Sequence, residues 1–355
     1  MNRVVIIILT VVAVLHSGML LFPQFQTGAF RPDFSVFWTG ARLVATSAHQ
    51  IYDAQAMTAA QSWLTSAENG LRPFVYPPTA LLLFYSFGLM PFYAAFLAWT
   101  SLSLAVFVVT ARTFTSSRAL ILAVATPAVV LSLVTGQTSL LIAGAIMGGV
   151  AMLERKPIIA GILLGAAAAL KPQAVILVPL ALLAGRHWLA QLALFVTGIA
   201  LVSIAVLLWG FALWFDWYQA ISNFSSIVGG LGLNIDGITF AMLAKAATWP
   251  AWLALSMQVV AIIFGCVLVI WAFGRQDKSV RVVALASGSL LCSPYALIYD
   301  LSVLMPIAAS LLISGRLTGV FAGFAITGLA GAFALPAVIA SSLTERLPDP
   351  TTSAV

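Results

Sequence analysis

The sequence predicts an all-α polytopic membrane protein with about eleven or twelve transmembrane helices and interfacial helices in a first outer loop. Composition and periodicity predict it. Hydrophobic residues make up 62% of the 355-residue chain and charged residues 7%, with a mean hydropathy of +1.09, which excludes an ordinary soluble surface. Apolar runs of about 15 to 25 residues recur from end to end, and backbone in lipid must satisfy its own hydrogen bonds, so these runs read as helices. Alternating strands of about ten residues, the mark of a membrane barrel, do not occur.

The first segment, about 3–22, starts at Arg3 and has no small-residue cleavage site before Phe22 and Pro23, so it reads as a retained helix rather than a removed leader. Further segments are expected at about 76–90, 92–111, 119–134, 137–153, 157–170, 173–185, 189–210, 249–273, 282–298, 301–314 and 316–341. One membrane domain then covers 1–341, and the tail 342–355, with Glu345, Pro348, Asp349 and Pro350, reads as disordered. Two long connections stand out, about 24–74 with Asp33, Asp53 and Glu68, and about 211–248 with Asp216, Asp236 and Lys245. In the first, Phe34, Phe37, Trp38 and Ala41 share one helical face suited to lying in the membrane interface. Trp209, Trp214, Trp217 and Tyr218 form an interfacial aromatic cluster at the start of the second.

The formal charge of +6 comes from basic residues scattered singly between apolar runs, so it sets topology and does not indicate a nucleic-acid partner. Loops carrying Arg112 and Arg118, Arg155 and Lys156, Arg186, Arg275 with Lys278 and Arg281, and Arg316 are expected in the cytoplasm. Both long connections then face the periplasm or the cell exterior, in a multi-pass protein of the cell (inner) membrane. Two full crossings between Arg72 and Arg112 would reverse the later loops, so one of the segments 76–90 and 92–111 is expected to fall short of a crossing, or another pair is divided differently.

Few residues are left to carry chemistry. Asp33, in RPDFSVFWTGARL, is one of ten acidic residues and stands near Arg31 and Arg42. Lys171 interrupts an apolar run, and Pro172 after it ends a helix, so its ammonium is expected at the top of that helix on the outer face; snorkelling is the structural alternative. Asp300, in SPYALIYDLSVLMP, reaches the same face and serves either a site or an ion pair with a cation such as Lys171. Gln137, in VTGQTSLL, offers a donor and acceptors there, unless it simply marks a helix turn. Asp33, Gln137, Lys171 and Asp300 are thus expected on one membrane face. Three dispersed histidines and two cysteines, Cys266 and Cys292, have no metal-ligand spacing. Neither a Walker motif nor a GxGxxG turn after a strand occurs, so no nucleotide cofactor is expected.

The stretches RPDFSVFWTGARL, IYDAQ, FVYPPTALLLFYSFGLMP, VTGQTSLLIAG, ALKPQAVILVPLALLAGRHW and SPYALIYDL, in this order from about 30 to 300, resemble glycosyltransferase family 87, whose best-known members are polyprenyl-phosphate-mannose-dependent mannosyltransferases. The resemblance implies a GT-C-type helical bundle with an extracytoplasmic site and Asp33, in the first outer loop, as catalytic carboxylate. Members of that family often carry a histidine near the motif that here reads SPYALIYD, where this chain has Tyr295 and Tyr299, so that histidine's role does not transfer.

On this reading the partners are a polyprenyl-phosphate-linked sugar, a glycolipid or polysaccharide acceptor and the lipid bilayer. Asp33 would act as general base, Lys171 and Arg42 would meet the donor phosphate, and Arg31, Gln137, Tyr295 and Asp300 would support the site or bind substrate. Neither a cofactor nor a metal is required. A multi-pass transporter or lipid flippase would also break helices near Lys171 and Asp300, but its two similar halves are not seen in the sequence.

Overall fold

The computed structural model describes residues 11–12, 14–15, 18, 33–62, 64, 72–230, 237–274 and 277–314, side chains excepted at 225–230. Most of the expected first segment, the last segment at 316–341, the tail, Arg31, Glu68, Asp236 and Arg275 lie outside these residues. Among the described residues every regular element is a helix.

The first long connection folds into α1 (Phe34–Leu43) and α2 (Ala54–Ala60), with a 3-10 turn at Ala48–Ile51 between them. The face of α1 expected to meet lipid is buried in protein instead: Phe34, Phe37, Trp38 and Ala41 are at most 4% exposed. Their partners are aromatic. Phe37 stacks on Phe84 at 4.4 Å and Phe34 lies 6.4 Å from Trp99, contacts that remove large apolar surfaces from water as a lipid interface would, but fix the helix in one place. Asp53 caps α2 by accepting from the backbone N–H groups of Gln55 and Ala56 at 2.9 and 2.8 Å, which makes it a structural acid.

Next come α3 (Pro78–Gly88) and α4 (Phe92–Ala111), then α5 (Ser117–Val124) and α6 (Pro127–Thr135). With 11 residues α3 is only about 16 Å long, roughly half the hydrocarbon thickness. α5 and α6 together occupy the expected segment 119–134, but bend by 58° where Pro127 has no N–H to continue the ladder. α7 (Ser139–Met152) and α8 (Pro157–Leu170) follow, and α8 ends immediately before Lys171 and Pro172. After a 3-10 turn at Pro172–Val175 come α9 (Val178–Ala184), α10 (Trp188–Trp209), α11 (Ala212–Gly230), α12 (Phe240–Ala246), α13 (Ala251–Phe273) and α14 (Lys278–Cys292). A 3-10 helix at Ile298–Leu304 and α15 (Met305–Ile313) complete the described chain.

Among the described residues three helices, α4, α10 and α13, are long and apolar enough to cross a membrane, or four if the bent pair α5–α6 forms one span. The other apolar segments form shorter helices, because prolines at 78, 157, 172 and 306 restart the backbone within or beside runs that composition alone reads as continuous. Exposed Leu207, Leu208 and Ile199 on α10 give the bundle a lipid-facing surface. Inside, α8 and α10 approach through Gly161 and Gly165: a Cβ at 165 would lie 2.8 Å from the carbonyl oxygen of Leu194, and one at 161 would collide with that of Ala190. Small residues four apart let two backbones touch, and dispersion along the contact line then holds them together in lipid.

The two long connections meet. Trp217 donates to the carbonyl of Val75 at 3.1 Å, and His49 lies 3.0 Å from Asp216. Ile238 donates to the carbonyl of Ala296 at 3.0 Å beside an isolated antiparallel bridge between Gly237 and Leu297. The second connection is thereby tied to the turn that carries Asp300.

Candidate active site

Asp33 stands at the N-terminal boundary of α1, and its carboxylate accepts from Gln137 Nε2 at 2.6 Å. Gln137 belongs to the turn between α6 and α7, which is sharp because Gly136 adopts φ +69°, a left-handed conformation that glycine takes without strain. The turn is clamped from both sides. Trp99 donates to the Gly136 carbonyl at 2.9 Å, and a Cβ on Gly136 would meet Phe34 Cβ at 2.7 Å. The amide therefore reaches the carboxylate only because residue 136 lacks a side chain.

Tyr76 fixes which end of the Gln137 amide faces Asp33. Its hydroxyl donates to Gln137 Oε1 at 3.3 Å, so that the NH₂ end points at the carboxylate, and it shares a second hydrogen bond with the Thr138 hydroxyl at 3.0 Å. Tyr52 donates to the Tyr76 carbonyl at 2.8 Å. Thr138 leads directly into Ser139, the first residue of α7, whose hydroxyl donates to Asp300 Oδ1 at 2.8 Å.

Asp300 is the second carboxylate of the cluster and is fully engaged. Lys171 Nζ donates to its Oδ1 at 2.5 Å, and the backbone N–H of Leu297 donates to Oδ2 at 3.2 Å. Both side chains are 6% exposed, so this ion pair is removed from water. The Lys171 ammonium also lies 5.5 Å above the Tyr299 ring. Ser132 and Ser302, hydroxyl oxygens 3.3 Å apart, tie α6 to the 3-10 helix that presents Asp300.

Burial pushes the Asp33 carboxyl above its ordinary pKa; the Gln137 donor and the Arg72 charge act in the opposite direction. Arg72 is held at its backbone, where its N–H donates to Thr58 Oγ1 at 3.0 Å and its carbonyl accepts from Gln61 at 3.1 Å. Gln61 also accepts from Ser35 at 2.9 Å, which couples Arg72 to the start of α1.

The structure thus brings together Asp33 and Gln137, and Lys171 and Asp300, through Tyr76, Thr138 and Ser139. Tyr295 packs edge-on against Phe224 at 5.2 Å in a small cluster with Met242, Leu297 and Tyr299, and it borders the site, hydrogen-bonding Tyr299 and lying within range of the Asp300 and Asp33 charges. Arg42 does not join. It is exposed at the far end of α1, about 13 Å along the axis from Asp33, where its guanidinium covers Trp38 at 4.7 Å and donates to the Gly88 carbonyl at 3.4 Å. Arg42 is thus remote from the phosphate position expected for it, and among the described residues the cation whose charge acts on Asp33 is Arg72, which in sequence reads only as a topology marker. Tyr76, Thr138 and Ser139 were equally unmarked, although Tyr76 directly before Pro77–Pro78 and the polar triplet Gln137–Thr138–Ser139 are unusual in such apolar surroundings.

No curated protein and no solved structure gives a significant match to the chain. The family model that does match is described as glycosyltransferase family 87 and covers residues 74–294, a stretch holding Tyr76, Gln137, Thr138, Ser139 and Lys171 while Asp33 and Asp300 flank it. With more than half of the chain matched by that model, and with membrane-spanning helices around a buried polar cluster, the protein belongs to glycosyltransferase family 87 and is a membrane glycosyltransferase.

Proposed function

We propose that the enzyme transfers a hexose or pentose from a polyprenyl-phosphate sugar to an envelope glycolipid or polysaccharide, with inversion at the anomeric carbon. The observation that carries this reading is a partly buried carboxylate, Asp33, and a buried ammonium, Lys171, each held in a hydrogen-bonded group, with the two groups joined through the adjacent residues Thr138 and Ser139. Transfer from a sugar phosphate needs those two functions at once. Asp33 accepts the proton of the acceptor hydroxyl as its oxygen bonds to the anomeric carbon, while the carbon–oxygen bond to phosphate breaks and the electron pair leaves with the polyprenyl phosphate. Lys171 uses one of its three N–H donors on Asp300, and the others are available to the phosphate on which charge accumulates. A single displacement with one base inverts the centre.

Asp300, Ser139 and Tyr299 hold Lys171, and Gln137 with Tyr76 holds Asp33. Building such a site at the ends of membrane helices suits a donor whose long apolar tail stays in the bilayer. The opposite ends of α4, α7, α8 and α9 are followed or flanked by Arg112, Arg155, Lys156 and Arg186, and α14 starts there with Lys278 and Arg281, which supports a cytoplasmic location for that end and an extracytoplasmic one for Asp33.

The test is transfer by the purified full chain supplied with labelled polyprenyl-phosphate sugars or with nucleotide sugars. Product formed from the lipid-linked donor only, with inverted anomeric configuration, is the expected result. Transfer from nucleotide sugars alone, or retention of configuration, would contradict the reading.

A further inference from the structure

A second polar cluster lies at the other end of the bundle. α8 separates it from Lys171 by its whole length, 14 residues or about 21 Å, and α14 starts at this second cluster and ends near Tyr295. Here a recess of about 690 Å³ is lined by Glu154, after α7, by Gly185, Arg186 and His187, between α9 and α10, and by Phe273 and Arg281, on α13 and α14.

Three features of this recess go beyond a structural ion pair. The first is His187. Its side chain is 10% exposed, its Nε2 is buried without a hydrogen-bond partner, and the nearest carboxylate oxygen, on Glu154, is 3.9 Å away. The ring lies close against Gly185, in space a side chain at that position would take, since a Cβ there would be 2.6 Å from its Cδ2. Burial, partly opposed by Glu154, lowers the imidazole's pKa, so a neutral ring offers an N–H donor rather than a charge.

The second is Arg186, which holds φ +57° in the turn closing α9, where glycine is the residue of least strain. The chain instead keeps an exposed arginine on the recess wall. The third is charge. Arg281, with a side chain 6% exposed, holds Glu154 at 2.7 Å over the face of Phe273, and Lys278 lies close enough to act on Glu154. Asp277 is committed to capping α14, donors Ser279 N–H and Val280 N–H lying 2.8 and 3.1 Å from it. Glu154 thus faces Arg281 and Lys278, and with Arg186 and Arg281 set against Glu154 the lining of the recess is positive. α10, whose N-cap is His187, has no side-chain cap and adds the positive end of a 22-residue helix dipole.

We propose that this recess binds a phosphate group, at the membrane surface opposite Asp33 and Lys171. An anionic phospholipid headgroup and a free phosphate share this chemistry, and basic recesses between membrane helices are known to suit such headgroups. Arg186 and Arg281 supply charge, His187 Nε2 gains its missing partner, and the site operates independently of the sugar-transfer site.

The experiment uses the full chain in a neutral detergent, with thermal unfolding followed against dioctanoyl phosphatidylglycerol, dioctanoyl phosphatidylcholine and inorganic phosphate. The expected result is saturable stabilisation by phosphatidylglycerol that inorganic phosphate competes away, weakened about fivefold or more in Arg186→Gln and also in His187→Phe. Saturation by inorganic phosphate alone, with the same dependence on Arg186, identifies a free anion as the ligand and upholds the site. No saturable effect from either ligand, or unchanged affinity in both variants, overturns it. Loss of the effect in Asp33→Asn also overturns it, by placing the binding at the other end of the bundle.

Discussion

Gln137 Nε2 donates to the Asp33 carboxylate at 2.6 Å, joining residues 104 positions apart. That bond favours the ionised acid, while burial of the same group favours the neutral one. Burial is the larger effect, so Asp33 is poised as a stronger base than an exposed aspartate.

The first prediction concerns pH. Transfer should fall as pH drops through the raised pKa of Asp33, giving an acid limb at higher pH than an ordinary exposed aspartate would give in a pH–rate profile. Gln137→Leu removes a bond that lowers this pKa, so its limb should move to higher pH. Tyr76→Phe, which frees the Gln137 amide to turn, should move the limb in the same direction by less. A limb unmoved in Gln137→Leu would separate the two residues functionally.

Stability should respond with the opposite sign from a salt-bridged acid. Because the folded-state pKa of Asp33 lies above its unfolded value, ionisation opposes folding, and stability declines as pH rises from the unfolded value through the folded one. Asp33→Asn should therefore melt no lower than the parent chain near neutral pH, which separates lost activity from lost fold.

Lys171 and Asp300 form a buried pair, and removing one partner leaves an uncompensated charge. Lys171→Met or Asp300→Leu alone should each cost about 3–5 kcal/mol, while the double variant recovers much of that loss. Thermal unfolding of the three variants checks it. Within folded protein, Lys171→Ala should weaken use of the donor more than use of the acceptor.

Gly136→Ala tests the clamp on the α6–α7 turn. A methyl group there must displace Phe34 Cβ at 2.7 Å and the Phe96 ring at 2.9 Å, and it must hold φ +69°. A loss of about 1–3 kcal/mol is expected, with reduced transfer because Asp33 precedes Phe34. By contrast Arg42→Ala, at the exposed end of α1, should leave transfer within about twofold of the parent.

The membrane class and the all-helical fold were legible from composition and apolar runs, and helix interruption at Lys171–Pro172 was legible from a single proline. Asp33, Gln137, Lys171 and Asp300 were visible because polar residues are scarce in this chain. Helix lengths were less legible: the segments at 76–90 and 119–134 look continuous in hydropathy, yet α3 stops at 11 residues and α5–α6 bends. The face of α1 carried the right residues for either lipid or protein, and only its packing on Phe84 and Trp99 decides between them. Sequence distance favours Arg42, 9 residues from Asp33, over Arg72, 39 residues away, yet Arg72 is the cation that acts on Asp33. A helix carries Arg42 away, whereas the chain returns after α2 and brings Arg72 back, a consequence of tertiary contact through Gln61 that no local pattern encodes.

The most direct measurement is sugar transfer from a labelled polyprenyl-phosphate donor by purified Asp33→Asn compared with the parent chain, with folding verified by thermal unfolding. The expected result is a folded variant whose transfer rate falls by about 100- to 10,000-fold. Full transfer by the folded variant would contradict the assignment of the base, and with it the account of the site.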